Sequence, residues 1–304
     1  MRALGVFCSD LHLSSTTPGC RGDDWMAAQS NMLECITKTA KKMKCPVFVS
    51  GDIFHKSKED PAAVSLAIRW MKKAKWYGIP GQHDLPGHSL LRIEESSFWN
   101  LVEAGVLEYI EGVCEFDDFY AIGHPYGTEP VNAEEMIGQK DKKVIGLAHQ
   151  LVYENKPFPD APESGNVKTV TKKYKGYHVL AFGDNHIGFT ASVRKGRGSV
   201  VVINSGVACR RTRAEIEYKP RCYVLFDDMT VKPKFLPFKD DVILDDERKV
   251  HDNDRLHVFV ETLMRQTEVS LSFVHNLKLF LEQADVKPEV EALLWAIMEQ
   301  VNET

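Results

Sequence analysis

The chain is predicted to fold as a layered α/β domain. Short apolar runs alternate with helical stretches from its first residues, each run ends in polar residues, and its later part is dense in strand-like segments. ALGVFCSD reads as a first strand, followed by a helix over about 24–44, a second strand in PVFVSGD, a helix over about 60–75 and a third strand in WYGIPG. A further helix over about 89–104 leads to VLEYIEG and CEFDDFYAIG, which read as a hairpin, and VIGLAHQ and HVLAFGDNH are two more apolar strands with polar ends. Between them, residues 150–175 are rich in Pro, Gly and Lys and read as a long surface loop. FTASV, the Gly-rich turn RKGRG and SVVVINSG form a strand pair, and RCYVLFDD with VKPKFLPF suggests another hairpin. Beyond about 240 the composition turns acidic and helical, over 254–266, 269–284 and 288–301. The expected organisation is a main domain over 1–240 and a small, mainly helical region over 241–304.

The 304 residues, 43% apolar and 27% charged, are ordinary globular usage, with no internal repeat or low-complexity tract. The first apolar run breaks at Asp10, too short for a signal segment, and no stretch approaches the roughly 18 apolar residues of a membrane span. The expectation is a protein of the cytoplasm, without a membrane partner. Cysteines at 8, 20, 35, 45, 114, 209 and 222 show no CxxC pair and no zinc-like spacing, which predicts reduced, mostly buried thiols. The net charge of −5 hides a polarity: residues 165–222 carry 12 basic side chains against 3 acidic, whereas residues 223–304 carry 9 against 17. Such a split points to a polyanionic partner.

The chemistry gathers at five strand ends, which carry Asp10 and His12, then Asp52, then Gln82 and His83, then His149, then Asp184 and His186. In open α/β sheets ligands bind at the carboxyl ends of strands. Carboxylate, amide and imidazole donors of this kind hold Mn, Fe or Zn. A lone SDLH is more often a capped turn, and a GD pair is commoner still, but five such ends together point to a dinuclear site.

SDLHL, GDIFH, GQHD, the AHQ histidine and GDNH resemble, in order, the five motifs of the calcineurin-like metallophosphoesterases, over about residues 3–210. GDIFH, AHQ and INSGVACRRT are most similar to the SbcD-type DNA repair exonucleases and their phage relatives, as is GQHD in place of GNHD. The resemblance implies a β-sandwich flanked by helices with a small C-terminal α/β or helical cap, and two divalent ions, Mn²⁺ or else Mg²⁺. It implies that Asp10, His12 and His186 bind one ion, that Gln82, His149 and Asp184 bind the other, and that Asp52 bridges them. His83 would stabilise or protonate the leaving oxygen, Asp84 would orient its other nitrogen, and His55 would contact a phosphate or serve the structure. For His88, His124 and His178 a structural role is the simpler reading. Gln82 stands where the family usually has Asn, and Asp184 replaces the first histidine of GHxH, adding a hard oxygen donor that favours Mn²⁺ or Mg²⁺ over Zn²⁺.

Lys172, Lys173, Lys175, Arg194, Lys195, Arg197, Arg210 and Arg211 flank the last two motifs in sequence and are the candidate phosphate contacts of a bound DNA strand. The resemblance further implies a homodimer and an SMC-like ATPase partner of the SbcC type. Leu277, Leu281, Leu293, Leu294 and Ile297 would form a cap, a docking face or an ordinary packed stripe. The competing functions are a phosphoprotein phosphatase or small-molecule phosphodiesterase on the same scaffold, and a non-catalytic interaction module.

Overall fold

In a computed structural model, which describes residues 1–138, 142–156, 161–195, 198–239 and 243, the first half of the chain alternates strand and helix. Its elements are β1 (Ala3–Cys8), α1 (Trp25–Met43), β2 (Val47–Ser50), α2 (Pro61–Met71), β3 (Trp76–Ile79), α3 (Ser97–Glu103) and β4 (Glu108–Tyr109). There follow β5 (Val113–Glu115), β6 (Phe119–His124), α4 (Ala133–Ile137), β7 (Lys143–His149), α5 (Val167–Lys173), β8 (Val179–Gly183), β9 (Phe189–Lys195), β10 (Gly198–Asn204), β11 (Arg221–Phe226) and β12 (Val231–Phe235).

The strands make two six-stranded sheets, ordered β12-β11-β1-β2-β3-β4 and β5-β6-β7-β8-β10-β9. Strands β1 to β4 run parallel in the first, and β6, β7, β8 and β10 run parallel in the second. Period-two alternation decides what each face meets. Phe48 of β2 points between the sheets, where it joins Phe7, Ile79, Ile145, Leu147, Val179 and Ala181. Its neighbours Val47 and Val49 face the other way, onto Met32, Leu33 and Ile36 of α1 and Leu66 of α2. Val144, Ala148, Leu180 and Phe182 pack outward against Val167 and Val170 of α5. The result is the expected sandwich of two sheets flanked by helices, with cores between all layers.

Local signals set the helix ends. Asp24 caps α1 by accepting from the Ala27 amide at 2.9 Å, and Asp60 caps α2 by accepting from Ala62 at 2.8 Å just before Pro61. The helix expected over 89–104 is divided instead. A 3₁₀ segment, Leu90–Glu95, stops at Ser96, which turns extended and caps α3 with a bond from the Trp99 amide. The hairpin expected from VLEYIEG and CEFDDFYAIG forms only within the second segment, as β5 and β6, while β4 pairs in parallel with β3 in the other sheet. The stretch 150–175 is not all loop: Asn166 caps α5, whose Val167 and Val170 fill the outer core. All seven cysteines are free, three of them buried and four half-buried. No helix among the described residues is long and apolar enough to cross a membrane. The helices expected at 254–301 and the boundary near 240 concern the segment 241–304, of which only Ile243 is described.

Candidate metal centre

The parallel strands of both sheets end on one edge, and there the two sheets touch directly. Ser50, the last residue of β2, donates through Oγ to the Ala181 carbonyl of β8 at 3.1 Å, and its own carbonyl accepts from His149 Nδ1 at 2.6 Å. Beyond β1, the amides of Asp10, His12 and Leu13 donate to the carbonyls of Gly51, Asp52 and Ile53 at 3.1, 3.0 and 2.8 Å, so the loops after β1 and β2 run as a pair. That pairing twists the backbone sharply. Asp10, His12, Asp52 and Asp184 all adopt positive φ, at 50°, 43°, 52° and 80°. The left-handed region costs a residue with a side chain on the order of 1 kcal/mol, and such strain concentrates at functional sites. Glycine precedes three of the donors for want of space: a Cβ on Gly51 would overlap the His149 ring, one on Gly81 the Asp52 carboxylate, and one on Gly183 the Ser50 carbonyl and the His149 ring.

These constraints gather the donors. His12 Nε2 lies 3.2 Å from His186 Nε2 and 3.7 Å from Asp52 Oδ2, and His149 Nε2 lies 3.5 Å from the same Asp52 oxygen. Asp10, His12 and His186 form one group able to hold a metal ion, Asp10, Asp52 and His149 another, and His12, His55 and His83 a third. Gln82 reaches across to donate from Nε2 to Asp184 Oδ1 at 2.7 Å, and the Asp184 amide donates to Asp10 Oδ1 at 3.1 Å. Four atoms converging here, Asp10 Oδ2, Asp52 Oδ2, Gln82 Oε1 and His149 Nε2, are buried without a hydrogen-bonding partner. Buried polar atoms are nearly always bonded, and three oxygens left with free lone pairs beside an imidazole nitrogen are what a cation satisfies once it displaces the proton from that nitrogen. The donor set fits divalent metal.

The electrostatics agree. Burial works against an ionised Asp52, yet His149 and His83 outweigh it and hold the carboxyl down to about 2. Burial likewise opposes a charged His149, but Asp52, Asp10 and Asp184 raise it to about 10. Burial, reinforced by His186, holds His12 well below its usual range, in the neutral form a metal ligand needs. Because His149 Nδ1 faces the Ser50 carbonyl, the proton a cation must displace sits on Nε2. Mn²⁺ affinity is therefore expected to rise with pH from neutrality towards about 10, with proton release. Calorimetry in buffers of different ionisation enthalpy checks this, since equal heats would mean that no proton leaves.

The family model described as "Calcineurin-like phosphoesterase" matches residues 6–188. The chain belongs to the calcineurin-like phosphoesterases. No curated protein matches it. Among solved structures, a hypothetical protein from Pyrococcus horikoshii OT3 is 14% identical with a TM-score of 0.43, the alignment covering 85% of this chain and 94% of that one.

Within this calcineurin-like phosphoesterase, three expectations about individual residues need correction. Asp84 does not orient His83. Its Oδ2 accepts from the amides of Ile53 and Gly81 and its Oδ1 from Phe54, which staples the loop after β3 to the loop after β2. His83 Nδ1 meets the His55 carbonyl instead, at 2.8 Å. Asp84→Ala strands three buried N–H groups and is expected to cost about 3–5 kcal/mol of stability. Urea unfolding of the metal-free protein measures it, and a loss below about 1 kcal/mol would contradict the staple.

Arg210 is not a phosphate contact: it is 1% exposed and donates to the carbonyls of Ile216 and Lys239, under the Phe238 ring. Arg194 is exposed but belongs to the opposite end of the sheet. Strand β9 starts beside the site and runs away from it, so Arg194, five residues beyond Phe189, lies about 17 Å down the strand. Nearness in sequence to GDNH was misleading there. Arg197 and the Lys195 side chain lie outside the described residues. Lys172 and Lys173 are exposed in the last turn of α5, and Lys175 is exposed on the approach to the start of β8, the end opposite Asp184. Arg211 is half-buried beside the centre, donating from Nη1 to the His12 carbonyl at 2.6 Å.

His55 stacks on His83 with ring centroids 5.4 Å apart, and its buried Nδ1 has no hydrogen-bonding partner. His124 is structural, its Nε2 paired with the Tyr177 hydroxyl at 2.8 Å, and His178 Nδ1 accepts from the Val144 amide. Sequence reasoning passed over Glu215, a buried carboxylate 2.7 Å from His186 Nδ1. No spacing rule signals it, since it stands 29 residues past His186 on an irregular turn.

Proposed function

We propose that this phosphoesterase is a DNA nuclease that cleaves phosphodiesters with two divalent ions, Mn²⁺ foremost. Asp10, His12 and His186 would hold one ion, Gln82, His149 and Asp184 the other, and Asp52 would bridge them. Two such ions, when bound, polarise the phosphate and generate the attacking nucleophile. Four oxygen-donor side chains, Asp184 among them, suit Mn²⁺ better than Zn²⁺.

The observation that carries the reading of an alkyl phosphoester as substrate, rather than one with a readily departing group, is the setting of His83. Its Nδ1 faces the His55 carbonyl, and the rings of His12 and His55 flank it at 4.9 and 5.4 Å. A protonated ring so held donates from Nδ1 to that carbonyl and leaves Nε2 to donate to a leaving oxygen. Diester cleavage in a nucleic acid expels an alkoxide, the leaving group that most needs such an acid. DNA as the substrate is supported by the likeness of GDIFH, AHQ and INSGVACRRT to the SbcD-type exonucleases, and by Arg211, the one candidate cation found beside the centre among the described residues.

End-labelled duplex and single-stranded DNA, incubated with Mn²⁺, Mg²⁺ or EDTA, test the proposal. Metal-dependent degradation that weakens steeply with added salt is the expected result. Intact DNA alongside hydrolysis of a small phosphodiester would replace the nuclease with a small-substrate phosphodiesterase.

A further inference from the structure

We propose that Glu215 is the positioning residue that makes His186 a metal ligand, by holding the proton on Nδ1 and leaving the Nε2 lone pair to face the centre. The role rests on the two-ion reading above. Glu215 has a side chain only 4% exposed, and its two oxygens are divided between two tasks. Oε2 accepts from the amides of Arg211 and Thr212 at 2.6 and 3.1 Å. Those amides can only donate, so this side of the carboxylate must accept. Oε1 lies 2.7 Å from His186 Nδ1, and a carboxylate oxygen there requires Nδ1 to be the donor. Nε2 is then the ligand nitrogen, and it is the atom that lies 3.2 Å from His12 Nε2, in the group with Asp10.

A carboxylate behind a ligating imidazole fixes the ring's tautomer and orientation and raises its basicity. His149 is held in the equivalent way by a neutral carbonyl, that of Ser50. The anionic partner therefore distinguishes the ion bound by His186 from its neighbour. It also ties the turn Arg213–Glu215, which no motif covers, to the metal centre.

Glu215→Gln separates this role from simple packing. The amide oxygen can still accept from Arg211 and Thr212, but its NH₂ then faces His186 Nδ1, which must accept, and the ring proton moves to Nε2. In Mn²⁺ titration calorimetry the wild type is expected to bind two ions. The variant is expected to keep one at wild-type affinity and to weaken the other about 10–100-fold. Two ions bound with unchanged affinities by a variant of normal circular dichroism would overturn the role. Should the variant not fold, ¹⁵N NMR of the metal-free wild type, followed to a pH at which the ring is neutral, decides directly: a neutral ring protonated on His186 Nδ1 supports the proposal, and one protonated on Nε2 overturns it. Wild-type protein that binds no Mn²⁺ would instead bring down the two-ion reading, and this role with it.

Discussion

Asp52→Asn is expected to lower phosphodiester hydrolysis by roughly 10³–10⁴-fold, the effect of losing several kcal/mol of two-ion stabilisation. It should also deplete both metal positions together. The carboxylate sits at the junction of the two donor groups: Oδ2 is 3.5 Å from His149 Nε2 and 3.7 Å from His12 Nε2, and Oδ1 accepts from the His83 amide at 2.9 Å. Asparagine preserves the shape and can keep the bond to the His83 amide, so the loops after β2 and β3 should stay joined. What it removes is the charge that two cations would share under the proposed two-ion reading. Metal analysis of the purified variant checks the point, and retention of both ions at wild-type affinity would show that Asp52 is not their bridge.

His83→Ala should behave differently. A loss of about 10²–10⁴-fold in the proposed DNA cleavage is expected with metal content unchanged, because the imidazole is assigned to the leaving oxygen rather than to an ion. Substrate choice sharpens the test. For a small diester with a nitrophenolate leaving group, which departs without a proton, the deficit should shrink to within about tenfold. An equal loss on both substrates would remove His83 from the role of acid and place it among the groups that bind phosphate.

The framework was legible because its signals are local. Apolar runs ending in SD, GD, GQHD, AHQ and GDNH mark strand ends whatever packs against them. What could not be read depended on distant partners. Asp84 looks like a neighbour of His83 in sequence, yet its three donors come from Ile53, Phe54 and Gly81. Arg210 looks like a surface cation until the carbonyls of Ile216 and Lys239 close over it. Gln82 and Asp184 read as two separate departures from the family pattern, but their side chains are hydrogen bonded across 102 positions of sequence. The longer amide and the shorter acid meet, so each substitution has its partner in the other. Arg194 shows the reverse error, since a strand carries residues away from a site as efficiently as towards it.

The donors divide between the sheets. Asp10, His12, Asp52 and Gln82 follow strands of the first, while His149 ends a strand of the second and Asp184 and His186 follow another. Neither sheet alone holds a complete set, and the earliest and latest of these residues are separated by most of the main domain. A chain still emerging from the ribosome, or one opened along the seam between its sheets, therefore has no working centre. Hydrolytic capacity therefore depends on both sheets being in place together.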